Sequence, residues 1–530
     1  MNNTTTPTIG KHTLESLTVG MYSDPFTIYR EYIQNSCDAI DIAIEQNVLD
    51  LKDARIEVNV YDTERIIRIK DNGIGIKASN AFSTLCDIGN SYKDHRYARG
   101  FRGIGRLGGL GYASRIVFKT SYIGENVESE VSWDAEKLKQ FLRPSANREM
   151  DLVKVISAVT SINNSEVKPE DHYFIVELYG VDENFPELID EIEVGNYLSM
   201  VAPVPFDCQK FIYGKSIKQY FLSQNVDIDE YQIFLNDSPQ AITKRYKTNY
   251  LTGKQERTSK RNDIHDVEYF MDSTSDGKLV YIGWLGISDF SGTVDDDFMR
   301  GVRVRKGNIL IGDESTFNQF FTSEQHRANG VFIGEVHILS QDIIPNARRD
   351  DFESNEAFGY LKEKLTDYAD GINKKYRRGY SQVNSALKKY EDGKRQLEEV
   401  EEEINTAGVT SEVHKEKLLN EKNKIEKQLS DAVTELEKAK TKIGDNNRRT
   451  SQIDSVLTEH KEKKKAIISL ENKIVDSGYK GKDELSFLSR EERKLYKKII
   501  EVIDSSLPKE VASPLVAQII AAIMPGRKNK

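Results

Sequence analysis

The spacing of hydrophobic and polar positions changes several times along the chain, and each change predicts an element. Over residues 25–47 the spacing is helical: Ile33, Cys37, Ile40 and Ile44 form a stripe that reads as core-facing. Glu31, Asn35 and Asp38 stand at i, i+4 and i+7 and share the other face. Alternation then takes over. "RIEVNVY" and "IIRIKD" predict strands, a glycine-dense run occupies 100–111, and "SRIVFKTS" predicts another strand. Further on, "YFIVELYG", "KLVYIGWLGI", "GVRVRKGNILIG" and "GVFIGEVHIL" read as strands as well. This order predicts two α+β domains in series, 1–150 and 151–355.

From residue 356 the pattern becomes heptad. Val383, Tyr390, Leu397 and Ile404 recur every seven residues, as do Leu429, Leu436 and Ile443, with Leu418, Ile425, Ala432 and Ala439 as a companion seam. A coiled coil over 356–476 is expected. The glycine-containing breaks "TAGVTSE" and "GDNNRRT" allow either an antiparallel hairpin or a rod between chains. Residues 477–530 read as a small helical region, opened by a capping box at Ser489 and Glu492.

Composition narrows the class. With 530 residues, 38% hydrophobic and 30% charged, the chain suits several globular domains plus a solvated elongated part. A net charge of -10 argues against a generally basic nucleic-acid binder. The basic runs "KKYRRGY" at 374–380 and "HKEKKK" at 460–465 lie among acids and read as solvated faces, so DNA is neither indicated nor forbidden. Cys37, Cys86 and Cys208 show no CxxC spacing, which gives no sign of a disulfide framework or a zinc site. No apolar run reaches the roughly 18 residues of a membrane span, and none resembles a signal peptide. A cytoplasmic protein without a membrane segment is expected.

Three polar features carry chemistry. The first is the Glu31, Asn35, Asp38 stripe. The second is Asp71 at a strand end, followed by Gly73 and Gly75, where glycines let backbone approach a flat ligand and a carboxylate accepts from an amine. The third is "RGFRGIGRLGGLGYA", whose Gly100, Gly103 and Gly105 open a run able to point backbone N–H groups at phosphate. It lacks the Gly-Lys-Ser/Thr of a P-loop.

In this order the motifs resemble the GHKL ATPases, the group of gyrase B, the ninety-kilodalton heat-shock chaperones, histidine kinases and MutL, together with the MORC proteins. "YREYIQNSCDAID" looks like their N box, "DNGIGI" like the adenine-contacting motif and "GFRGIG" like the lid glycines. The resemblance implies a Bergerat-type α/β sandwich at the N-terminus, ATP and Mg2+ as cofactors, and a transducer domain. It assigns Asn35 to magnesium, Glu31 to the attacking water, Asp38 to the pocket wall, Asp71 to adenine, and Gly100, Gly103 and Gly105 to the phosphates. Residues 89–99 take the place of the lid, where Lys93 and Arg102 lie near phosphate or are merely solvated. "NGVFIGEVHILSQDIIPNARRDDFESNEAF" looks like the end of the chaperones' middle domain, which implies that Arg349, or its neighbour Arg348, meets the γ-phosphate.

The stretch before Glu31 holds a single histidine, His12, and no phospho-acceptor helix, which speaks against a kinase. Nothing after residue 356 resembles a metal-dependent nuclease. The function expected is an ATP-gated homodimeric clamp, chaperone-like or remodelling, acting on a protein client. The alternative is a MORC-like DNA-entrapping or antiviral-defence scaffold in which nucleotide is structural.

Overall fold

The computed structural model describes residues 24–88, 104–143, 151–253, 260–290, 292–409, 411–443, 448–476, 488–507 and 509–523. It divides into two units, Met1–Asn373 and Lys374–Lys530.

The first unit opens with helix α1, Thr27–Glu45, which buries Ile33, Cys37 and Ile40 as the helical stripe requires. It lies against a sheet built from β1 (Ile56–Tyr61), β2 (Ile66–Asp71), β3 (Arg115–Ser121), β4 (Val127–Asp134), β5 (Thr160–Glu166), β6 (Tyr173–Tyr179) and β7 (Ile233–Leu235). The strand order is β5-β4-β3-β6-β2-β1-β7, antiparallel throughout except for the parallel β1–β7 pair. Helix α2 (Ala78–Cys86) follows β2, while α3 (Ala135–Leu142) and α4 (Leu152–Val159) lie between β4 and β5. Alternation in β2 puts Ile67, Ile69 and Asp71 on the buried side. The side of β2 that faces the core thus ends in a carboxylate.

Two expected boundaries move. The N-terminal domain does not end at 150, because β6 is inserted between β3 and β2, with Asp71 opposite Phe174, and β7 adds an edge from still later in the chain. Strand pairing is non-local, and no composition change marks it. The coiled coil does not begin at 356 either. Helix α5 (Glu191–Val201) and helix α6 (Gly214–Ser223) precede the second sheet, and α7 (Glu356–Ile372) follows it. That sheet takes β10 (Asp266–Ser273), β11 (Leu279–Ile287), β12 (Gly301–Lys306), β13 (Ile309–Leu310) and β14 (Ile333–Ile338) in the order β10-β11-β14-β12-β13, beside a two-stranded β8 (Asn249–Thr252) and β9 (Lys260–Asp263). Helix α7 packs on it: Tyr368 stacks on Phe270 at 3.9 Å and the Tyr360 hydroxyl donates to Asp272 at 2.9 Å. Its apolar spacing resembles the heptads that follow, which hides the change of partner.

Aromatic rings fill the second core, with Trp284 5.3 Å from Phe211 and 5.2 Å from Tyr246. Beside them a charged cluster is sealed from water. Glu335 meets Lys244 at 2.8 Å and Arg305, accepts from Tyr246, and lies against His337. Arg305 also donates to the Met200 carbonyl at the end of α5 at 2.8 Å.

The second unit contains α8 (Gly379–Ala407), α9 (Glu412–Ile443), α10 (Arg448–Asp476), α11 (Arg490–Ser506) and α12 (Lys509–Ile523). Lys389 pairs with Glu435 and Lys440 with Asp454, so α8, α9 and α10 run antiparallel within one chain. Val383, Tyr390, Leu397, Leu418, Ile425, Leu429, Ala432, Leu436, Ala439 and Ile443 are all buried. Ile404 is half-buried. Ser489 caps α11 through the box expected with Glu492. No helix among the described residues is long and apolar enough to cross a membrane.

Candidate functional site

Helix α1 carries the site because its second face turns away from the sheet core and is covered by other polar groups. Glu31 is 6% exposed, its carboxylate held between the backbone at Gly105 and the guanidinium of Arg349. On one side a Cβ at Gly105 would stand 1.9 Å from Glu31 Oε2, so any larger residue there would displace the carboxylate. On the other, Arg349 Nε lies 2.9 Å from Glu31 Oε1 as an ion pair, although Oε1 lacks the alignment of a hydrogen bond. Two residues far apart in the sequence are thus brought into charge contact. Arg348 is exposed, and only its carbonyl reaches the helix.

The turn after β2 is locked onto the same helix. Asp71 Oδ1 accepts from Gly73 N at 2.9 Å, Ile74 N donates to Ala39 O at 3.1 Å, and His172 Nδ1 lies 2.9 Å from Gly73 O. A Cβ on Gly73 would meet Ala39 at 2.7 Å. Gly75 adopts φ +74 and its absent Cβ would fall 1.9 Å from Ser121 O. Gly75→Ala is therefore expected to destabilise the first unit by more than ~2 kcal/mol, from left-handed strain plus the clash. Urea unfolding reads this directly, and an unchanged midpoint would mean the turn has another conformation.

Asp38 is buried and Asn35 half-buried on the face shared with Glu31. The Gly105–Gly111 turn is tied to α1 by the Tyr32 hydroxyl, which donates to Arg106 O at 3.2 Å. Burial pushes the Tyr32 and Tyr197 hydroxyls above the usual tyrosine range, so both keep their protons at neutral pH. Gln34 Oε1 and the Tyr197 hydroxyl are buried without a hydrogen-bond partner among the described residues. Gly100, Gly103, Lys93 and Arg102 lie outside the described residues. No group of three metal-ligating His, Cys, Asp or Glu side chains occurs among the described residues.

Sequence reasoning passed over Arg30. It is 7% exposed, and its guanidinium donates to the carbonyls of Arg349 at 3.3 Å and Arg348 at 3.4 Å. The one available signal was that no acid stands three or four positions away on α1 to explain an arginine there.

A helix carrying Glu31, Asn35 and Asp38, a strand end at Asp71 and a glycine turn against Glu31 form one arrangement, and residues 22–166 match the family described as Histidine kinase-, DNA gyrase B-, and HSP90-like ATPase. The N-terminal sheet domain has the fold of the GHKL-type ATPases. The chain is similar to the chaperone protein HtpG of Buchnera aphidicola subsp. Baizongia pistaciae (strain Bp), 22% identical over 377 residues that cover 67% of this chain and 54% of that protein. It is also similar to the chaperone protein HtpG of Paraburkholderia xenovorans (strain LB400), 31% identical over 144 residues, 24% of this chain and 23% of that protein. The chain thus spans about half the length, 54%, of the first of these relatives and less of the second.

Proposed function

We propose that the protein is a magnesium-dependent ATPase working as an ATP-gated homodimeric clamp, with a chaperone-like or remodelling action on a protein client in a cytoplasmic setting. The observation that carries this reading is the seating of Arg349, from the loop after the second sheet, on the carboxylate of Glu31. A guanidinium has five donors and can face a carboxylate and a phosphate together.

The residues present fit a magnesium nucleotide. Asp71 is a buried acceptor-only group suited to the amine of adenine, and Gly73 keeps the wall beside it flat. The amide oxygen of Asn35 suits a hard ion that retains most of its waters. Bound magnesium would supply charge neutralisation on the phosphates. In this reading Glu31 orients the attacking water and accepts its proton, Asp38 acts through water, Gly75 shapes the turn, and Gly100, Gly103 and Gly105 face the phosphates. Leu495, Ile499 and Val502, exposed at one-turn spacing on α11, support self-association at the other end.

Calorimetric ATP titration together with phosphate release tests the reading. Wild type is expected to bind and hydrolyse ATP. Asp71→Asn replaces one acceptor oxygen by a donor facing the same amine, and is expected to bind ~10–100-fold more weakly. Binding by wild type without turnover would sink the ATPase reading, and equal affinity in Asp71→Asn would sink the adenine assignment.

A further inference from the structure

We infer that Arg30 is a positioning residue that holds the Arg349 loop on the catalytic carboxylate. The inference rests on the ATPase reading above and adds a residue to its machinery. Arg30 is buried on α1 next to Glu31, yet the hydrogen bonds it makes among the described residues go to two carbonyls and a hydroxyl rather than to an acid. Its Nη1 donates to Arg349 O at 3.3 Å, and its Nη2 to Arg348 O at 3.4 Å and Thr27 Oγ1 at 3.5 Å. A buried cation is thus spent on two consecutive carbonyls of the segment that delivers Arg349.

That segment is built to need a grip. Arg349 has φ +58, a left-handed conformation that is unfavourable for a non-glycine residue. The loop closes on itself through Asn346 N to Asp351 O at 2.9 Å, Glu353 N to Ile344 O at 2.8 Å and the Asn346 amide to Asp350 at 2.6 Å. None of these bonds sets where the loop sits relative to α1. The Arg349 carbonyl does: it accepts from Gly312 N at 2.8 Å on the side of the second sheet and from Arg30 on the side of α1. One carbonyl oxygen with two lone pairs joins the helix of Glu31 to the loop of Arg349. Because Arg30 and Glu31 are adjacent, the same helical turn holds the loop's backbone and meets its side chain.

The test compares wild type, Arg30→Ala, Arg30→Lys, Arg349→Ala and the Arg30→Ala/Arg349→Ala double variant. The readouts are kcat and KM for ATP hydrolysis, ATP affinity by calorimetry, and amide hydrogen exchange over residues 344–353. Arg30→Lys keeps the buried charge but cannot span two carbonyls, and it serves if the alanine variant folds poorly. Expected are faster exchange in that segment, a kcat lowered about tenfold with ATP affinity unchanged, and a double variant no slower than Arg349→Ala alone, as for groups that act as a unit. Unchanged exchange and kcat, or losses that multiply in the double variant, would overturn the inference. If wild type hydrolyses no ATP, the proposed function fails, and the exchange readout alone then upholds or refutes the tether.

Discussion

Glu31→Ala is expected to lower ATP turnover by ~10²–10⁴-fold while leaving ATP affinity within a few-fold of wild type, the range for removing a positioned general base. The carboxylate is confined by Gly105 on one side and Arg349 on the other, so it is held in one place before any reaction begins. Removing it takes away the anion beside Arg349 and, in the proposed reading, the acceptor for the water's proton. In the proposed reading adenine is recognised by Asp71, at the end of β2, and not by Glu31. The loss should therefore appear in kcat and spare binding. Glu31→Gln separates chemistry from packing, because the amide fills the same space against Gly105 without the charge. Steady-state phosphate release with parallel calorimetry reads both variants. Turnover within tenfold of wild type in both would remove Glu31 from the chemistry.

Glu335→Ala is expected to destabilise the first unit by ~3–5 kcal/mol, the cost of breaking a buried ion pair from one side. Glu335 is fully buried, and its loss leaves Lys244 and Arg305 facing each other without an anion. Burial pushes the Glu335 carboxyl up, but the charges of Arg305 and Lys244, with the His337 hydrogen bond, outweigh it and hold the group well below the usual carboxylate range. Burial and Arg305 bring Lys244 down to about 8, and burial takes His337 down to about 4. The acid side of the stability profile follows from these shifts. Between about 6.5 and about 4 the unfolded chain protonates this histidine and the folded chain does not, so stability falls as pH falls through that window. Below the ordinary carboxylate range Glu335 acts in the same direction, because the unfolded chain takes up a proton that the folded cluster refuses. Urea unfolding of wild type and Glu335→Ala across about pH 3–8 checks both statements. A loss below ~1 kcal/mol would mean that water reaches the cluster.

The two sheets show where sequence reading succeeds and where it stops. The apolar stripe of α1 and the alternation that makes Asp71 inward-facing were legible because each follows from a local period. The same rule misleads in β12. There Arg303 and Arg305 alternate with Val302 and Val304, an alternation that ordinarily marks one wet face, yet both arginines are 1% exposed because the other side of the sheet is covered too. The end of the first domain was misplaced because β6 joins strands that precede it by more than fifty residues. Arg349 was visible through a resemblance of its segment, whereas Arg30 drew no attention, since its acceptors lie 318 and 319 residues away.

The sequence by itself determined the polar stripe of α1, the Asp71 turn, the glycine run and the heptad seams, because helical and strand periods and glycine's freedom act over a few residues. Only the tertiary structure decided that Arg349 meets Glu31, that Arg30 grips the loop carrying it, and that Glu335 gathers buried cations. Those contacts depend on which distant surfaces are desolvated together, a property of the folded chain that no local pattern encodes.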